Sequence, residues 1–70
     1  MILELGKLYK TRGGEIVKVV YIDQNLGFYP VKVEFVNTLG FDMWVTIEGE
    51  YNNKALRVKS TSNNDIVSTY

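Results

Sequence analysis

The sequence contains no cysteine and no histidine among its 70 residues. These two absences exclude disulfide bonds, a structural zinc site built from Cys and His ligands, and nucleophilic thiol chemistry. The residue types still allow a Ca²⁺ or Mg²⁺ site built from carboxylates, but no segment resembles the twelve-residue calcium-binding loop, so we expect neither a metal nor another cofactor. A chain without cysteine also suits the reducing cytoplasm.

The chain also lacks an excess of charge of either sign, because eight Lys and Arg residues balance eight Asp and Glu residues. A broad electrostatic contact with duplex nucleic acid requires clustered positive charge, so this balance argues against a duplex-binding protein. No apolar run approaches membrane-spanning length, and the start has no basic segment typical of a signal peptide. We therefore expect no membrane contact and a cytoplasmic location.

A chain of this length predicts one small domain over residues 1–70. Such a domain buries only about 60% of the surface that its unfolded chain exposes, so its core supplies modest stability. Disulfides and structural metals are the usual supplements, and both are excluded here. We therefore expect subunit association, and a homo-oligomer is the predicted assembly.

Short segments rich in Val, Ile, Tyr and Phe, separated by Gly, Asn and Ser, are typical of β-strands. The predicted strands cover residues 7–12, 15–23, 29–36, 41–47, 54–59 and 65–70. Those over 54–59 and 65–70 are the weaker candidates, and 52–64 otherwise has the composition of a loop before a terminal strand. Helical periodicity is almost absent, apart from one possible turn over 53–56.

Five or six short antiparallel strands predict an all-β fold, either an SH3-like barrel or a strongly bent sheet. Closure into a barrel would remove the sheet edges that invite aggregation. An open meander that pairs across a subunit interface is the alternative. The terminal strand follows the polar segment "STSNND", so it is able to add to its own sheet or to a neighbour's.

The single tryptophan is predicted to point away from the core. Alternation along 41–47 places Phe41, Met43, Val45 and Ile47 on the apolar side. Trp44 then lies on the opposite side, which also carries Asp42 and Thr46. Its indole is either covered by a loop of its own chain or exposed in an interface or ligand pocket, where aromatic side chains dominate the binding energy.

Aromatic and basic residues make up the candidate site. Lys10 and Arg12 share one face of the first predicted strand, and Tyr9 and Thr11 share the other. Stacking aromatic rings with a few cations are what a nucleotide or single-stranded nucleic acid requires. The candidate ligand-binding residues are Tyr9, Lys10, Arg12, Tyr29, Trp44, Tyr51 and Arg57, to which Lys59 adds a second cation beside Arg57. The alternative is that these are ordinary strand residues with solvated charges.

No catalytic constellation is present. Without His or Cys, an enzyme would depend on carboxylates such as Asp23, Asp42, Glu48 and Glu50 as acid and base. All four lie at predicted strand ends and turns, where solvated carboxylates are common. The glycines of "TRGGE" lack the Lys and Ser/Thr that complete a phosphate-binding loop, so they predict a hairpin turn. We expect a protein that is not an enzyme.

The segments "GKLYKTRGGEIVKVVYID", "YPVKVEFV" and "MWVTIEGEY" resemble a group of small bacteriophage proteins. The matching positions are Gly6, Lys7, Tyr9, Lys10, Thr11, Arg12, Gly14, Val17, Asp23, Tyr29, Pro30, Val31, Trp44, Gly49 and Tyr51. The resemblance spans residues 6 to 51, and the gap between Trp44 and "EGEY" is longer than in the family pattern. It implies a phage origin, a host-directed role and a location in the host cytoplasm, but no ligand.

Three functions follow as hypotheses. The first is a counter-defence protein that binds and sequesters a small host signal such as a cyclic nucleotide, for which two or three local cations suffice. The second is a protein that inhibits a host protein through an exposed aromatic patch anchored by Trp44. The third is a single-stranded nucleic-acid-binding barrel, which the charge balance disfavours.

Overall fold

The computed structural model describes residues 1–38, 40–52 and 60–70. Within them the chain forms five strands: β1 (Leu8–Thr11), β2 (Ile16–Ile22), β3 (Val31–Phe35), β4 (Asp42–Val45) and β5 (Ile66–Thr69). All pairings are antiparallel, in one sheet of order β4-β3-β2-β1-β5. The predicted all-β class is therefore confirmed.

The remaining predicted elements lie outside the described residues. These are the predicted strand over 54–59, which contains the cations Arg57 and Lys59, and the helical turn over 53–56. The terminal strand β5 lies within the predicted 65–70, and it pairs with β1 of its own chain, with Tyr9 opposite Thr69. In the described part of the chain, no helix is long and apolar enough to cross a membrane.

The core lies on one face of this bent sheet, where alternate residues of the strands point inward. In β2 and β3 the inward positions are β-branched valines, which pack well on a pleated surface. The buried apolar residues are Leu3, Tyr9, Val17, Val19, Val31, Val33, Met43, Val45 and Ile66. Inward and outward residues also alternate along β3, where Val31 and Val33 are buried.

Backbone hydrogen bonds outside the strands bring the far ends of the sheet together. Leu3 N donates to Ile47 O at 2.9 Å, which places the N-terminal segment against the chain after β4. Ile66 N donates to Gly49 O at 2.8 Å, so the start of β5 meets the turn that follows β4. The meander is thereby bent round until its first and last parts are in contact, as the predicted bent sheet requires.

Two turns with the same sequence pattern, Thr-x-x-Gly-Glu, form that junction. In 11–15 the Thr11 hydroxyl accepts from Glu15 N at 3.0 Å, and in 46–50 the Thr46 hydroxyl accepts from Glu50 N at 2.9 Å. In each turn the Thr N–H donates to the Glu carbonyl, and the Gly N–H donates to the Thr carbonyl. The φ angles of Gly14 and Gly49 are 92° and 97°, a conformation that favours glycine.

The structure differs from the prediction for 41–47 at two residues, Thr46 and Phe41. Thr46 does not lie beside Trp44 on the outer side, because the turn over 46–50 draws its side chain inward until it is 2% exposed. Phe41 does not enter the core: it precedes β4 at the open end of the sheet and remains 63% exposed. Met43 and Val45 are buried as predicted, and Ile47 packs partly against the core.

Candidate binding surface

The outer face of β2, β3 and β4 carries two rows of aligned side chains. Cross-strand pairing places Tyr21 opposite Lys32, and Lys32 opposite Trp44. The next row consists of Lys18, Glu34 and Asp42. We define the outer patch as these six residues: Lys18, Tyr21, Lys32, Glu34, Asp42 and Trp44.

The two aromatic rings of the outer patch contact each other. The centroids of Tyr21 and Trp44 lie 6.1 Å apart with an interplanar angle of 89°, an edge-to-face arrangement. Such pairs contribute about 0.5–1.5 kcal/mol beyond their area burial, which holds the indole in a defined position. Trp44 nevertheless remains 38% exposed and Tyr21 48% exposed. The predicted outward orientation of Trp44 is therefore confirmed, and the described part of its own chain does not cover it fully.

The charges around this aromatic pair cancel. Lys18 and Lys32 are balanced by Glu34 and Asp42, and Lys32 Nζ lies 3.6 Å from Asp42 Oδ2. Both members of that ion pair are partly exposed, so it orients side chains more than it stabilises the fold. An aromatic centre within a mixed polar rim is typical of a protein-binding surface, whereas a polyanion would require net positive charge.

Strand β4 forms one edge of the sheet among the described residues. Phe35 N donates to Phe41 O at 3.1 Å, and the register pairs Val33 with Met43. Because hydrogen-bonded and non-hydrogen-bonded pairs alternate in an antiparallel ladder, the backbone N–H and C=O groups of Asp42 and Trp44 point away from β3. The exposed indole therefore lies beside outward-directed backbone groups of the same strand.

The predicted ligand-binding residues that the structure describes lie in different parts of the fold. Tyr9 is buried in the core at 2% exposure, where its hydroxyl accepts from Glu4 N at 2.9 Å. Lys10 is exposed on the outer face of β1, opposite the side that buries Tyr9, as the strand alternation predicted. Tyr29 is half-buried and Tyr51 is 37% exposed.

Arg12 is held by the tail of the chain, not by the aromatic residues. Its Nη2 lies 3.3 Å from Asp65 Oδ2, and its Nε donates to Ser62 O at 3.3 Å. Its backbone N–H also donates to Asp65 O at 2.7 Å. Trp44, by contrast, has Tyr21 and Lys32 as neighbours, so no described contact brings the predicted cation and the predicted aromatic anchor together.

Asp65 is the buried polar residue that sequence reasoning missed. Its side chain is 4% exposed, and its Oδ1 accepts from Tyr51 N at 2.8 Å and from the Ser60 hydroxyl at 2.6 Å. With Arg12 on Oδ2, the carboxylate joins the first turn and Tyr51, the residue after the second turn, to the segment before β5. No local pattern marked Asp65, because Tyr51 and Arg12 lie 14 and 53 positions away from it.

Trp44 lines neither of two surface pockets that described residues form. The larger, of about 590 Å³, includes Arg12, Glu48, Glu50 and Asp65 in its lining. Its three carboxylates and single guanidinium, which already pairs with Asp65, do not suit a phosphate group. The smaller, of about 240 Å³, is lined by Glu15, Phe35, Thr38 and Phe41.

Lys7, which lies outside the outer patch and both pockets, has a pKa above its ordinary value. The hydrogen bond and negative charge of Glu4 raise the pKa of Lys7, whose Nζ lies 2.6 Å from Glu4 Oε2. Both side chains are more than half exposed, so the pair has little energetic weight. In the described residues, no group of three or more Asp and Glu side chains is placed to hold a metal ion.

No protein-family model, curated protein or solved structure matches this chain.

Proposed function

We propose that this chain is a small non-enzymatic binding domain that takes an extended segment of a partner protein along β4. The observation that carries the proposal is the exposed Tyr21–Trp44 pair next to the outward-directed backbone of β4, which is an edge of the sheet that the described residues form. Addition of a strand supplies main-chain hydrogen bonds, and side-chain contacts on alternate residues supply specificity. The resemblance to small bacteriophage proteins would make that partner a host protein.

A second copy of the chain fits the β4 edge less well than a different partner. If two β4 strands paired around a two-fold axis at Met43, the Asp42 carboxylate of each copy would lie beside the Trp44 indole of the other. Centring it on Asp42 would oppose two carboxylates, which is destabilising. Centring it on Trp44 would pair Asp42 with Thr46, whose N–H already donates to Glu50 O at 2.9 Å. The predicted homo-oligomer stays a prediction, with an interface elsewhere.

Sequestration of a cyclic nucleotide also stays a prediction. It needs two or three cations near an aromatic ring, and the outer patch has two lysines, Lys32 opposite Trp44 and Lys18 in the next row opposite Glu34. Lys32 pairs with Asp42, and Arg12 pairs with Asp65. A phosphate bound beside Trp44 would therefore compete with the Asp42 carboxylate for Lys32.

The test is a selection of random ten-residue peptides displayed on messenger RNA against the immobilised protein, followed by titration of recovered peptides. Trp44 is the only tryptophan, so its fluorescence reports on the site directly. Loss of an aromatic anchor typically costs 2 kcal/mol or more. We therefore expect Trp44→Ala to weaken binding about thirtyfold. Because this variant has no tryptophan, its affinity is measured by competition with a labelled peptide.

Tyr70→Ala is the matched control, because Tyr70 is 70% exposed and lies outside the outer patch. Binding of a peptide should also protect the backbone amide of Trp44 from hydrogen exchange. N-methylation of alternate peptide residues should abolish the binding. Peptides that bind Trp44→Ala and the unaltered protein equally would contradict the proposal. A fluorescence response to cyclic di- or trinucleotides, without any peptide response, would support sequestration instead. A Trp44-dependent dimer in light scattering would support a second copy.

A further inference from the structure

The smaller pocket lies at the open end of the sheet, between the β1–β2 turn and the β3–β4 turn. Its volume is about 240 Å³, enough for one side chain, and its lining is Glu15, Phe35, Thr38 and Phe41. Phe41 is 63% exposed and Phe35 is partly buried against the core. Two aromatic rings therefore meet solvent beside a single carboxylate.

The residues that line this pocket are held in place by the backbone. Glu15 N donates to the Thr11 hydroxyl at 3.0 Å, and Glu15 O accepts from Thr11 N at 2.8 Å. Phe35 N donates to Phe41 O at 3.1 Å, which fixes the two aromatic residues opposite each other. A site whose parts are already positioned loses less entropy when it is filled.

The pocket adjoins the strand edge to which the partner segment is proposed to add. Phe41 precedes Trp44 by three residues, about 10 Å along an extended chain. Phe41 lies opposite Phe35, which packs against the core, whereas Trp44 is on the outer face, so the two side chains lie on opposite faces of the sheet. A segment paired along β4 would therefore present one residue beside Trp44 and another, three residues away, on the side of Phe41.

We propose that this pocket receives a lysine or arginine side chain of the partner segment, three residues from the one that packs on Trp44. This inference rests on the proposed function. The alkyl stem packs on the rings of Phe35 and Phe41, and the cation approaches the Glu15 carboxylate. An apolar occupant would remove water from that carboxylate without replacing its hydrogen bonds, which is costly.

The experiment repeats the peptide selection on Glu15→Lys and on Glu15→Gln. The unaltered protein should enrich peptides with an apolar or aromatic residue and, three positions away, Lys or Arg. Glu15→Lys should enrich Asp or Glu at that position, and Glu15→Gln should show no charge preference. In a selected peptide, replacing the basic residue by Ala should weaken binding about tenfold to the unaltered protein and by clearly less to Glu15→Gln, where the contact with the rings is lost but no ion pair is.

Glu4→Lys is the control, since it makes the same change in net charge at a residue that does not line the pocket. Glu15→Gln keeps the size of the side chain, so it remains informative if Glu15→Lys disturbs the turn. Binding that depends on Trp44 but shows the same charge preference in all Glu15 variants would overturn this inference and leave the proposed function standing. Binding that is independent of Trp44, or no peptide enrichment at all, would overturn the proposed function and this inference with it.

Discussion

Replacing Asp65 tests whether one buried carboxylate joins the two ends of this fold. Asp65 is 3% exposed, and it accepts hydrogen bonds from Tyr51 N, the Ser60 hydroxyl and Arg12 Nη2. Asp65→Asn keeps the shape of the side chain but removes its charge and turns one acceptor into a donor. That new donor would face the Arg12 guanidinium, which has no acceptor of its own.

The expected cost follows from the kind of hydrogen bond that is weakened. A hydrogen bond to a charged group contributes about 1.5–3 kcal/mol, compared with about 1 kcal/mol for a neutral one. The Arg12 side chain is 44% exposed, so its share is small because solvent screens the pair. We expect Asp65→Asn to lower the free energy of unfolding by about 2 kcal/mol. Asp65→Ala leaves the Tyr51 N–H without its acceptor, whereas the Ser60 hydroxyl keeps Asn52 Oδ1 at 2.7 Å, so this variant should cost about 3 kcal/mol.

Urea denaturation followed by circular dichroism measures this change directly. A domain of this size has a total stability of about 4–10 kcal/mol, so 2 kcal/mol should lower Tm by roughly 10–15 °C. Asp42→Asn is the matched control: its ion pair with Lys32 is partly exposed, and its loss should cost less than about 0.5 kcal/mol. Equal destabilisation by the two Asn variants would refute a structural role for the Asp65 network.

Two further predictions concern the repeated turns. Gly14→Ala and Gly49→Ala both place a side chain at positive φ, but an added Cβ would meet nothing within 4 Å at Gly14 and would lie 2.9 Å from Ile66 O at Gly49. We expect about 1 kcal/mol for the first and clearly more for the second, and equal Tm values would show that the close approach is unimportant. Thr11→Val and Thr46→Val each remove the hydroxyl that accepts from the Glu N–H of the turn. Each should cost about 1–2 kcal/mol in urea denaturation while the Ser variants stay near the unaltered protein, and unchanged Val variants would count against the shared turn design.

The strands and their faces could be predicted because the pattern that encodes them is local. Alternation along β4 identified Met43 and Val45 as inward and Trp44 as outward, and the structure confirms all three. Phe41 was expected to be buried and Thr46 to lie on the outer face beside Trp44, and both predictions were wrong for one reason. Both residues flank β4, where the chain leaves the sheet and strand periodicity no longer decides which side chains are buried.

The candidate site was harder to predict, since its contacts join residues far apart in the chain. Residue type marked Arg12 as a cation for a ligand, but its partner Asp65 lies 53 positions away. Tyr9 was named for its aromatic ring, yet its hydroxyl finds a partner within the fold, so the residue is buried. The pairing of Tyr21 with Trp44 depends on the register of three strands, which no local pattern specifies.

By itself, then, the amino-acid sequence determined the all-β class, the approximate strand positions and the outward orientation of Trp44. Only the tertiary structure decided which polar groups stabilise the fold through buried hydrogen bonds and which exposed residues are neighbours. The physical reason is that side-chain alternation is a property of a few consecutive residues. Burial of Asp65, closure through Gly49 and the position of the pocket at Phe41 arise only when distant segments share one small core.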